Sequence, residues 1–302
     1  MTVPPVDWAA PGFGLAPAAP LVGPFPGRAF LEAWWRHRGS GEPLIAEVPG
    51  GLAAARRLPA GPVELMGEAD LTDYHAPLGP EGAGAVAALL GSLESGTRFR
   101  FDSLPEEAAA VVAAGCARAG LAVAPHQHTV AVVLDLPGSA EEYTAGLDAK
   151  ERHELRRKRR RFEAAHGTGR LVAAGPGGLE AFAAMHRAAR GAKGEFLTGE
   201  MAGFFAALAD LPGARLDLLA GDDGRPLAAA FGFQDERAYY LYNSAYDPAV
   251  AGASPGVVLV DLLVQRAIRE GLARLDFLKG DEAYKFRLGG RPRPLFVLEG
   301  AR

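Results

Sequence analysis

Apolar residues recur at two different spacings in the second half of the chain, and the spacing separates strands from helices. The stretch 239–243 is aromatic and β-prone, which predicts a strand. After a loop of turn-forming residues, the apolar positions follow a helical period that predicts a helix over 255–271. Those positions are Val257, Leu259, Val260, Leu263, Val264, Ala267 and Ile268. Ser254 before Pro255 is typical of a helix N-cap, and Gly271 of a C-terminal stop.

The same patterns assign the other elements of the second half. They predict strands over 170–174, 214–220, 225–234, 237–243, 273–278 and 294–299. They predict helices over 144–165, 178–190, 199–209 and 255–271, and a short one over 281–288. Asp222-Asp223-Gly224 has the composition of a hairpin turn between two of these strands. This order predicts an α+β fold with a mixed sheet flanked by helices.

The first half shows a similar order of predicted elements. Strands are predicted over 43–48, 52–58, 62–66, 98–102, 121–124 and 129–134, with helices over 30–38, 81–94 and 105–119. The shared order indicates a structural duplication, although the residues do not visibly repeat. Leu136-Pro137-Gly138 interrupts the pattern between the halves. We therefore expect a tail over 1–27, which contains seven prolines, a first domain over 28–138 and a second domain over 139–302.

Composition describes an ordinary globular chain of 302 residues, with 49% hydrophobic and 23% charged residues. No apolar run is long enough to span a bilayer, and the first 27 residues lack the charged start and apolar core of a signal peptide. The single cysteine, Cys116, cannot form an internal disulfide and lies in an Ala/Val-rich helical pattern. These features predict a cytoplasmic protein without a transmembrane segment.

Positive charge is concentrated in one short segment. Residues 1–149 carry 8 basic and 17 acidic side chains, whereas residues 150–302 carry 24 and 19. The segment KERHELRRKRRR, residues 150–161, holds eight of those basic side chains and two acidic ones. Such a segment indicates either a solvated connecting helix or a binding surface for an anion. A sequence pI of about 6.0 and the lack of interleaved aromatic residues argue against a dedicated nucleic-acid binder.

The start of the predicted 255–271 helix is a candidate phosphate site. The first amides of a helix have no partner inside the helix, and the positive end of the helix dipole lies behind them. Gly256, Val257 and Val258 would supply those amides beside Ser254. The alternative is an ordinary helix start packed on a sheet. Neither G-x-x-x-x-G-K-[ST] nor G-x-G-x-x-G occurs in the chain, which excludes the two best known phosphate loops.

The order of elements and several motifs resemble the GNAT acyltransferase superfamily, in its CelD-like, FemAB-related branch. The motifs cover roughly residues 145–290 and lie in the order RHELRRKRRR, His186-Arg187 with Lys193-Gly194, DDGRPLAAAFGF, YYLYNSAYDP, SPGVVLVDLLVQRAIREG and DFLKGDEAYKFRLG. In the first half, FLEAWWRHR and LTDYHAPLG resemble the degenerate first domain of that branch. The resemblance implies tandem GNAT-like lobes, of which only the second keeps a cofactor cleft. SPGVV stands where ordinary GNAT enzymes have a Gln/Arg-x-x-Gly-x-Gly/Ala loop.

The resemblance implies an N-acyltransferase that moves an acyl group, such as acetyl, from coenzyme A to an amine. The acceptor would be a sugar, an amino acid or a cell-envelope precursor. One alternative is aminoacyl transfer from a charged tRNA to a peptidoglycan-type precursor, although the helical arm usual in those relatives is not visible here. Another alternative is a non-catalytic GNAT-like protein that binds an anionic polymer or partner through the basic helix.

The resemblance also implies roles for individual residues. The donor would contact Tyr242, Asn243, Ser244, Ser254, Gly256, Val257 and Val258. The catalytic candidates are Tyr284, which would protonate the leaving thiolate, and Lys285, Glu282 and His186. Substrate contacts are expected from Arg156, Arg157, Arg160, Lys193, Asp276 and Asp281, and no metal is expected.

Overall fold

In a computed structural model of the protein, the described residues are 4–175, 177–189, 191–197 and 199–302, without the side chains of residues 192 and 193. The chain forms two compact units. The first comprises the residues up to Ala131 together with Arg293–Arg302, and the second comprises Val132–Pro292. In the described part of the chain, no helix combines the length and apolar character needed to cross a bilayer.

The helices are α1 (Arg28–Arg38), α2 (Gly82–Gly91), α3 (Glu106–Arg118), α4 (Ala140–Gly146), α5 (Ala149–His166), α6 (Gly178–Ala188), α7 (Ala192–Phe196), α8 (Gly199–Ala209), α9 (Pro255–Arg269) and α10 (Ala283–Arg287). The strands are β1 (Glu42–Val48), β2 (Gly51–Arg57), β3 (Val63–Leu65), β4 (Arg98–Pro105), β5 (His126–Asp135), β6 (Arg170–Ala173), β7 (Ala214–Ala220), β8 (Pro226–Gln234), β9 (Ala238–Tyr246), β10 (Arg274–Lys279) and β11 (Arg291–Ala301).

The first unit is built on the strand order β1-β2-β3-β4-β11. Strands β1, β2 and β3 are antiparallel, β3 and β4 are parallel, and β4 is antiparallel to β11. Because β11 pairs with β4, residues 293–302 belong to this unit, whereas the sequence assigned them to the second domain. The Pro-rich segment packs against the same unit, since Phe25 and Val22 are buried and Gly12 N–H donates to Glu47 Oε1 at 2.7 Å.

The second unit has the strand order β10-β9-β8-β7-β6, in which β9 and β10 are parallel and the other pairs are antiparallel. Helix α9 buries its apolar stripe, including Leu259, Leu263 and Val264, in a core shared with Tyr239 and Phe277. The second core is an aromatic cluster on α6, α8, β8 and β9. It comprises Phe182, Phe204, Phe205, Phe231, Phe233 and Tyr242.

The predicted α+β fold with its mixed sheet is confirmed. The predicted strand over 121–124 is wrong, because these residues form a loop before β5. The predicted helix over 144–165 is two helices, because Leu147 is extended and the Asp148 side chain caps α5 by accepting a hydrogen bond from Glu151 N–H at 2.9 Å. Helix α7 was not predicted, since Gly191 and Gly194 interrupt its pattern.

A buried ion pair fixes α9 against the sheet. Arg266 of α9 binds both oxygens of Asp217 on β7, with 2.9 Å between Nη2 and Oδ2. The Tyr239 hydroxyl on β9 donates to the same carboxylate at 3.2 Å, and the Arg266 guanidinium lies 5.3 Å from the Tyr239 ring centroid. Because bidentate Arg–carboxylate pairs have a fixed geometry, this cluster sets the orientation of α9 on β7 and β9.

Candidate functional site

Strands β9 and β10 separate soon after they begin. Their parallel pairing runs from Arg274↔Ala238 to Asp276↔Tyr240, although β9 continues to Tyr246. Beyond that point the facing edges no longer hydrogen-bond to each other. Two diverging strands therefore create a gap in the sheet of the second unit, with main-chain donors and acceptors along both of its edges.

A β-bulge lies on β9 where this gap opens. Phe231 of β8 pairs with Asn243 and Gly232 pairs with Leu241, which leaves Tyr242 as the extra residue on β9. The Tyr242 ring stacks on Phe205 with 5.6 Å between the ring centroids. Tyr242, Asn243 and Ser244 are all half-buried, unlike the four buried residues before them. A bulge increases the local twist of a strand, and here it coincides with three partly accessible residues that the sequence predicted as donor contacts.

The end of β10 is bent by two side chains. Leu278 has a left-handed backbone with φ of 60°, and its N–H donates to the buried Asp276 carboxylate at 2.8 Å. The Lys285 ammonium donates to the carbonyls of Leu278, Lys279 and Gly280 at 3.2, 2.7 and 3.2 Å, and pairs with Glu282 at 2.9 Å. A left-handed conformation is unfavourable for leucine, so these contacts hold a strained turn at the mouth of the gap.

These contacts change the expected roles of three residues. The ammonium of the buried Lys285 is occupied by carbonyl groups and by Glu282, so it serves the turn rather than a substrate. Partial burial is the largest single influence on Glu282 and works against its ionisation. The hydrogen bond and charge of Lys285, together with a backbone hydrogen bond, outweigh it and lower the pKa of Glu282, which weakens this carboxylate as a base. Asp276 is completely buried and bound to Leu278 N–H, which makes it part of the turn.

The start of α9 differs from the expected cap. Ser254 has a left-handed backbone with φ of 58°, and its side chain makes no capping hydrogen bond. Its carbonyl instead accepts hydrogen bonds from Val257 N–H at 3.1 Å and Val258 N–H at 3.3 Å. The expectation of three free amides is therefore wrong for these two valines, because Ser254 O already binds them. Among the described residues, Gly256 is the one whose amide stays without a partner at this helix start.

Tyr284 lies in a small pocket between α5, α9 and α10. The pocket is lined by Glu151, Glu154, Leu155, Lys158, Val257, Tyr284, Arg287 and Leu288. Burial, together with the nearby Glu282 carboxylate, raises the pKa of Tyr284 to about 12. Its hydroxyl makes no hydrogen bond to a described residue. The structure thus places Tyr284 close to Val257 at the start of α9. The sequence predicted this proximity only through the family resemblance.

His186 of α6 is buried and is not available as a free base. Its Nε2 lies 2.9 Å from Asn243 Oδ1, and the ring packs edge-on against Phe182 with 4.7 Å between centroids. Because an amide oxygen only accepts, His186 Nε2 carries the proton and donates it to Asn243. Asp281, by contrast, is exposed and has no ion-pair partner in the described chain.

The cations of α5 fall into two groups. Arg157 binds Glu154 through two hydrogen bonds of 2.8 and 2.7 Å, and Arg159 forms an ion pair with the buried Asp261 of α9. Arg156 and Arg160 are exposed and have no ion-pair partner in the described part of the chain. The side chain of Lys193, the remaining predicted substrate contact, lies outside the described residues.

The corresponding place in the first unit is filled by its own chain. Strands β3 and β4 are parallel over Val63↔Phe99 and Glu64↔Arg100, and Ser103 beyond them is left-handed with φ of 55°. This arrangement parallels β9, β10 and Leu278. Here, however, the buried loop residue His75 donates its main-chain N–H to Ser103 O at 3.0 Å. The Ser103 carbonyl beyond the β3–β4 pairing is thereby bound within the unit.

Comparisons with known proteins agree with this geometry. Residues 149–286 match the family model described as an acetyltransferase (GNAT) domain. A search of curated proteins gives no match. Three solved structures share the fold of the chain, and at 10 to 12% identity the likeness concerns the fold alone.

FemX is 12% identical with a TM-score of 0.62, and the alignment covers 98% of this chain and 97% of FemX. A conserved protein of unknown function from Bacteroides thetaiotaomicron is 10% identical with a TM-score of 0.64 and covers 98% of both chains. L-PGS from Bacillus licheniformis is 12% identical with a TM-score of 0.60, over 92% of this chain and 93% of L-PGS. Residues 149–286 therefore resemble a GNAT-type acetyltransferase domain, and the chain shares the fold of FemX and L-PGS.

Proposed function

We propose that the protein transfers an acyl group, such as acetyl, from coenzyme A to the amine of a sugar, an amino acid or a cell-envelope precursor. The observation that carries this proposal is the gap between β9 and β10 beside the start of α9. An extended donor with amide groups can hydrogen-bond to unpaired strand edges as an additional strand does. The arm of coenzyme A contains such amides, and the reactive thioester would lie at the bulge around Tyr242.

The phosphate groups of this donor fit the start of α9 through one amide. Gly256 N–H has no partner among the described residues and has the positive end of the α9 dipole behind it. A Cβ at Gly256 would lie 3.4 Å from the Tyr246 ring, so the backbone here is closely approached by an exposed aromatic side chain. One amide binds a phosphate more weakly than the several amides of a glycine-rich loop. The edges of β9 and β10 would therefore supply the other contacts to the donor.

Two side chains have roles in proton transfer. Tyr284, whose pKa is raised to about 12, stays protonated at neutral pH and gives its proton to the leaving group. Asp281, the exposed carboxylate of the turn, is available for the proton of the incoming amine. Lys285 and Asp276 act on the site by holding the Leu278 turn in place.

Calorimetry with acetyl-CoA tests this function. We expect micromolar binding that disappears in Gly256→Trp, because the indole would fill the space in front of the free amide. Gly252→Trp is the matched control, since a Cβ at this exposed glycine meets no atom within 4 Å. Absence of binding for every acyl-CoA, with the variants folded, would overturn the proposal.

Aminoacyl transfer from a charged tRNA is the second candidate, and two observations favour it. Arg156 and Arg160 are both exposed on α5 and have no ion-pair partner among the described residues, which suits a phosphate backbone. The pKa of Tyr284, raised to about 12, also suits an ester donor better than a thioester. The alkoxide that leaves an ester is strongly basic and needs a proton, whereas a thiol has a pKa of about 8.5 and its thiolate leaves more readily without one.

Charge reversal separates the two donors. If charged tRNA is the donor, Arg156→Glu with Arg160→Glu weakens tRNA binding strongly and makes it less sensitive to salt. Arg157→Glu is a useful comparison, because Glu154 already neutralises Arg157 in the native protein. Binding of acetyl-CoA that is unaffected by all three changes would favour the first candidate, whereas binding of tRNA alone would favour the second. Binding of either donor without turnover would indicate the non-catalytic alternative.

A further inference from the structure

Asn243 occupies a distinctive position on the acyltransferase domain. It follows the bulged residue Tyr242 and lies three residues beyond Tyr240, where the pairing of β9 with β10 ends. Asn243 is half-buried. Its hydrogen-bond partner, His186, is almost completely buried. The side chain therefore stands at the opening of the gap, with one end held inside the protein.

The amide of Asn243 has only one of its two ends occupied. Oδ1 lies 2.9 Å from His186 Nε2, so the oxygen end of the amide faces the buried ring. The Nδ2 group, a donor of two hydrogen bonds, has no partner among the described residues. A donor that is held in place but unpaired is suited to an oxygen atom of a ligand.

The His186 ring that orients this amide is itself immobilised. It packs edge-on against Phe182 at 4.7 Å and lies 6.1 Å from the Phe196 ring, measured between centroids. Tyr242, the residue before Asn243, is stacked on Phe205 and packed against Phe231 and Phe233. Packing on both sides thus fixes the amide before any ligand binds, which is the condition for effective electrostatic stabilisation.

We propose that Asn243 is a catalytic residue whose Nδ2–H stabilises the oxyanion of the acyl-transfer intermediate, and that His186 is its positioning residue. The inference rests on the proposed acyltransferase function. It adds a side-chain hydrogen-bond donor for the oxyanion to the main-chain groups along the gap. It also reassigns His186, because a histidine that donates to Asn243 is not a free base.

The amine nitrogen bonds to the acyl carbon, and the carbonyl π electrons move to oxygen, which becomes the oxyanion that Asn243 Nδ2–H binds. The carbonyl re-forms as the bond from carbon to the leaving atom breaks, and Tyr284 gives its proton to that atom. The amine proton leaves to a base. Asn243 takes no proton in this sequence, which agrees with an amide side chain.

Hydroxamate formation measures the step without knowledge of the natural acceptor. Hydroxylamine attacks both thioesters and esters, so acetyl-CoA and alanyl-tRNA can each be used as the donor. We expect the wild-type protein to accelerate hydroxamate formation with at least one of them. Asn243→Ala should then lower kcat by about 100-fold with little change in the KM for that donor, as expected for loss of one oxyanion donor.

Variants of His186 test whether this residue positions the Asn243 amide or only contributes to folding of the protein. His186→Leu should lower kcat, and His186→Gln should restore part of it, because glutamine can still donate to Asn243 Oδ1. The double variant Asn243→Ala with His186→Leu should be no slower than Asn243→Ala alone, since His186 acts through Asn243. Gln234→Ala, which removes another amide side chain at the end of β8, is the control, and circular dichroism monitors folding.

Two results would overturn the inference while the proposed function stands. One is a wild-type kcat in a folded Asn243→Ala variant, and the other is additive losses from Asn243 and His186. If the wild-type protein instead binds neither donor and forms no hydroxamate, the proposed function fails and the role of Asn243 fails with it.

Discussion

Arg159 of α5 forms an ion pair with Asp261 of α9, and the Asp261 side chain is completely buried. Gln265 donates a further hydrogen bond to Asp261 Oδ2 at 3.1 Å, while Oδ1 is buried and has no hydrogen-bond partner in the described part of the chain. The pair lies one helical turn from Leu155 and Val257, which line the pocket around Tyr284. The contact therefore sets the distance between the basic helix and the helix beside the gap.

Arg159→Met is expected to destabilise the protein by about 3 kcal/mol, because it leaves a buried carboxylate without its counter-charge. Asp261→Asn should cost less, since Arg159 remains one-third exposed and can turn its guanidinium to water. Urea unfolding measures both values. Arg156→Met, on the exposed side of the same helix, is the control and should change stability by less than about 0.5 kcal/mol. Equal losses from Arg156→Met and Arg159→Met would contradict this role.

Ser254→Gly is expected to stabilise the protein by roughly 1 kcal/mol. Ser254 is left-handed and makes no capping hydrogen bond with its side chain, so glycine removes strain at no cost in contacts. Ser139→Ala should have the opposite effect, a loss of about 1 kcal/mol, because Ser139 Oγ accepts a hydrogen bond from Glu142 N–H at 3.1 Å. Thermal unfolding of the two variants compares them directly. A destabilised Ser254→Gly would show that the serine caps α9 after all.

Lys285→Met is expected to lower stability by about 1.5 to 3 kcal/mol, the range for a charged hydrogen-bond partner. Carbonyls of Leu278, Lys279 and Gly280 would lose their donor, and the end of β10 would loosen. Hydrogen exchange should show faster exchange of Leu278 N–H, with weaker donor binding in the same variant. Arg287→Met, on the exposed side of α10, is the comparison. Unchanged protection at Leu278 would contradict the positioning role.

Tyr284 is expected to ionise near pH 12, about two units above an ordinary tyrosine. The difference in phenolate absorbance between the wild-type protein and Tyr284→Phe isolates this group. Because the folded pKa is raised, the contribution to stability is complete below about pH 10 and is lost as the pH rises through 12. The stability of wild type relative to Tyr284→Phe should therefore fall over that interval. A pKa of about 10 for Tyr284 would contradict this prediction, because it would show that the hydroxyl is exposed to water.

Much of this architecture could be predicted from local pattern. The apolar stripe of α9 and the apolar or aromatic runs of β7 to β9 are strong local signals, and they give the α+β order of the second unit correctly. The short α7 and the break at Leu147 were missed, because each depends on one or two residues in a helix-forming context. The left-handed Leu278 has no signal in the sequence, since leucine normally avoids that conformation.

The candidate site shows a similar division. Gly256, Tyr284 and the bulge region 242–244 were predicted from motifs, and the structure places them around β9, α9 and α10. Arg159, Asp261 and Arg266 were not predicted as important, although a charge on the apolar side of a helix is a signal that could have identified Asp261. Lys285 and His186 were predicted as catalytic residues. In the structure Lys285 binds carbonyls of the turn after β10, and His186 is hydrogen-bonded to Asn243.

The sequence by itself determined which segments form strands and helices, where the basic helix lies and which family the second half resembles, because these depend on neighbours a few positions apart. Only the tertiary structure decided which polar groups remain free. The Asp217 carboxylate, for example, is bound by Arg266 of α9 and Tyr239 of β9, which are distant in the sequence. His186 becomes a donor to Asn243 because packing from distant elements buries its ring. The availability of a polar group is a property of everything packed around it, which local sequence does not record.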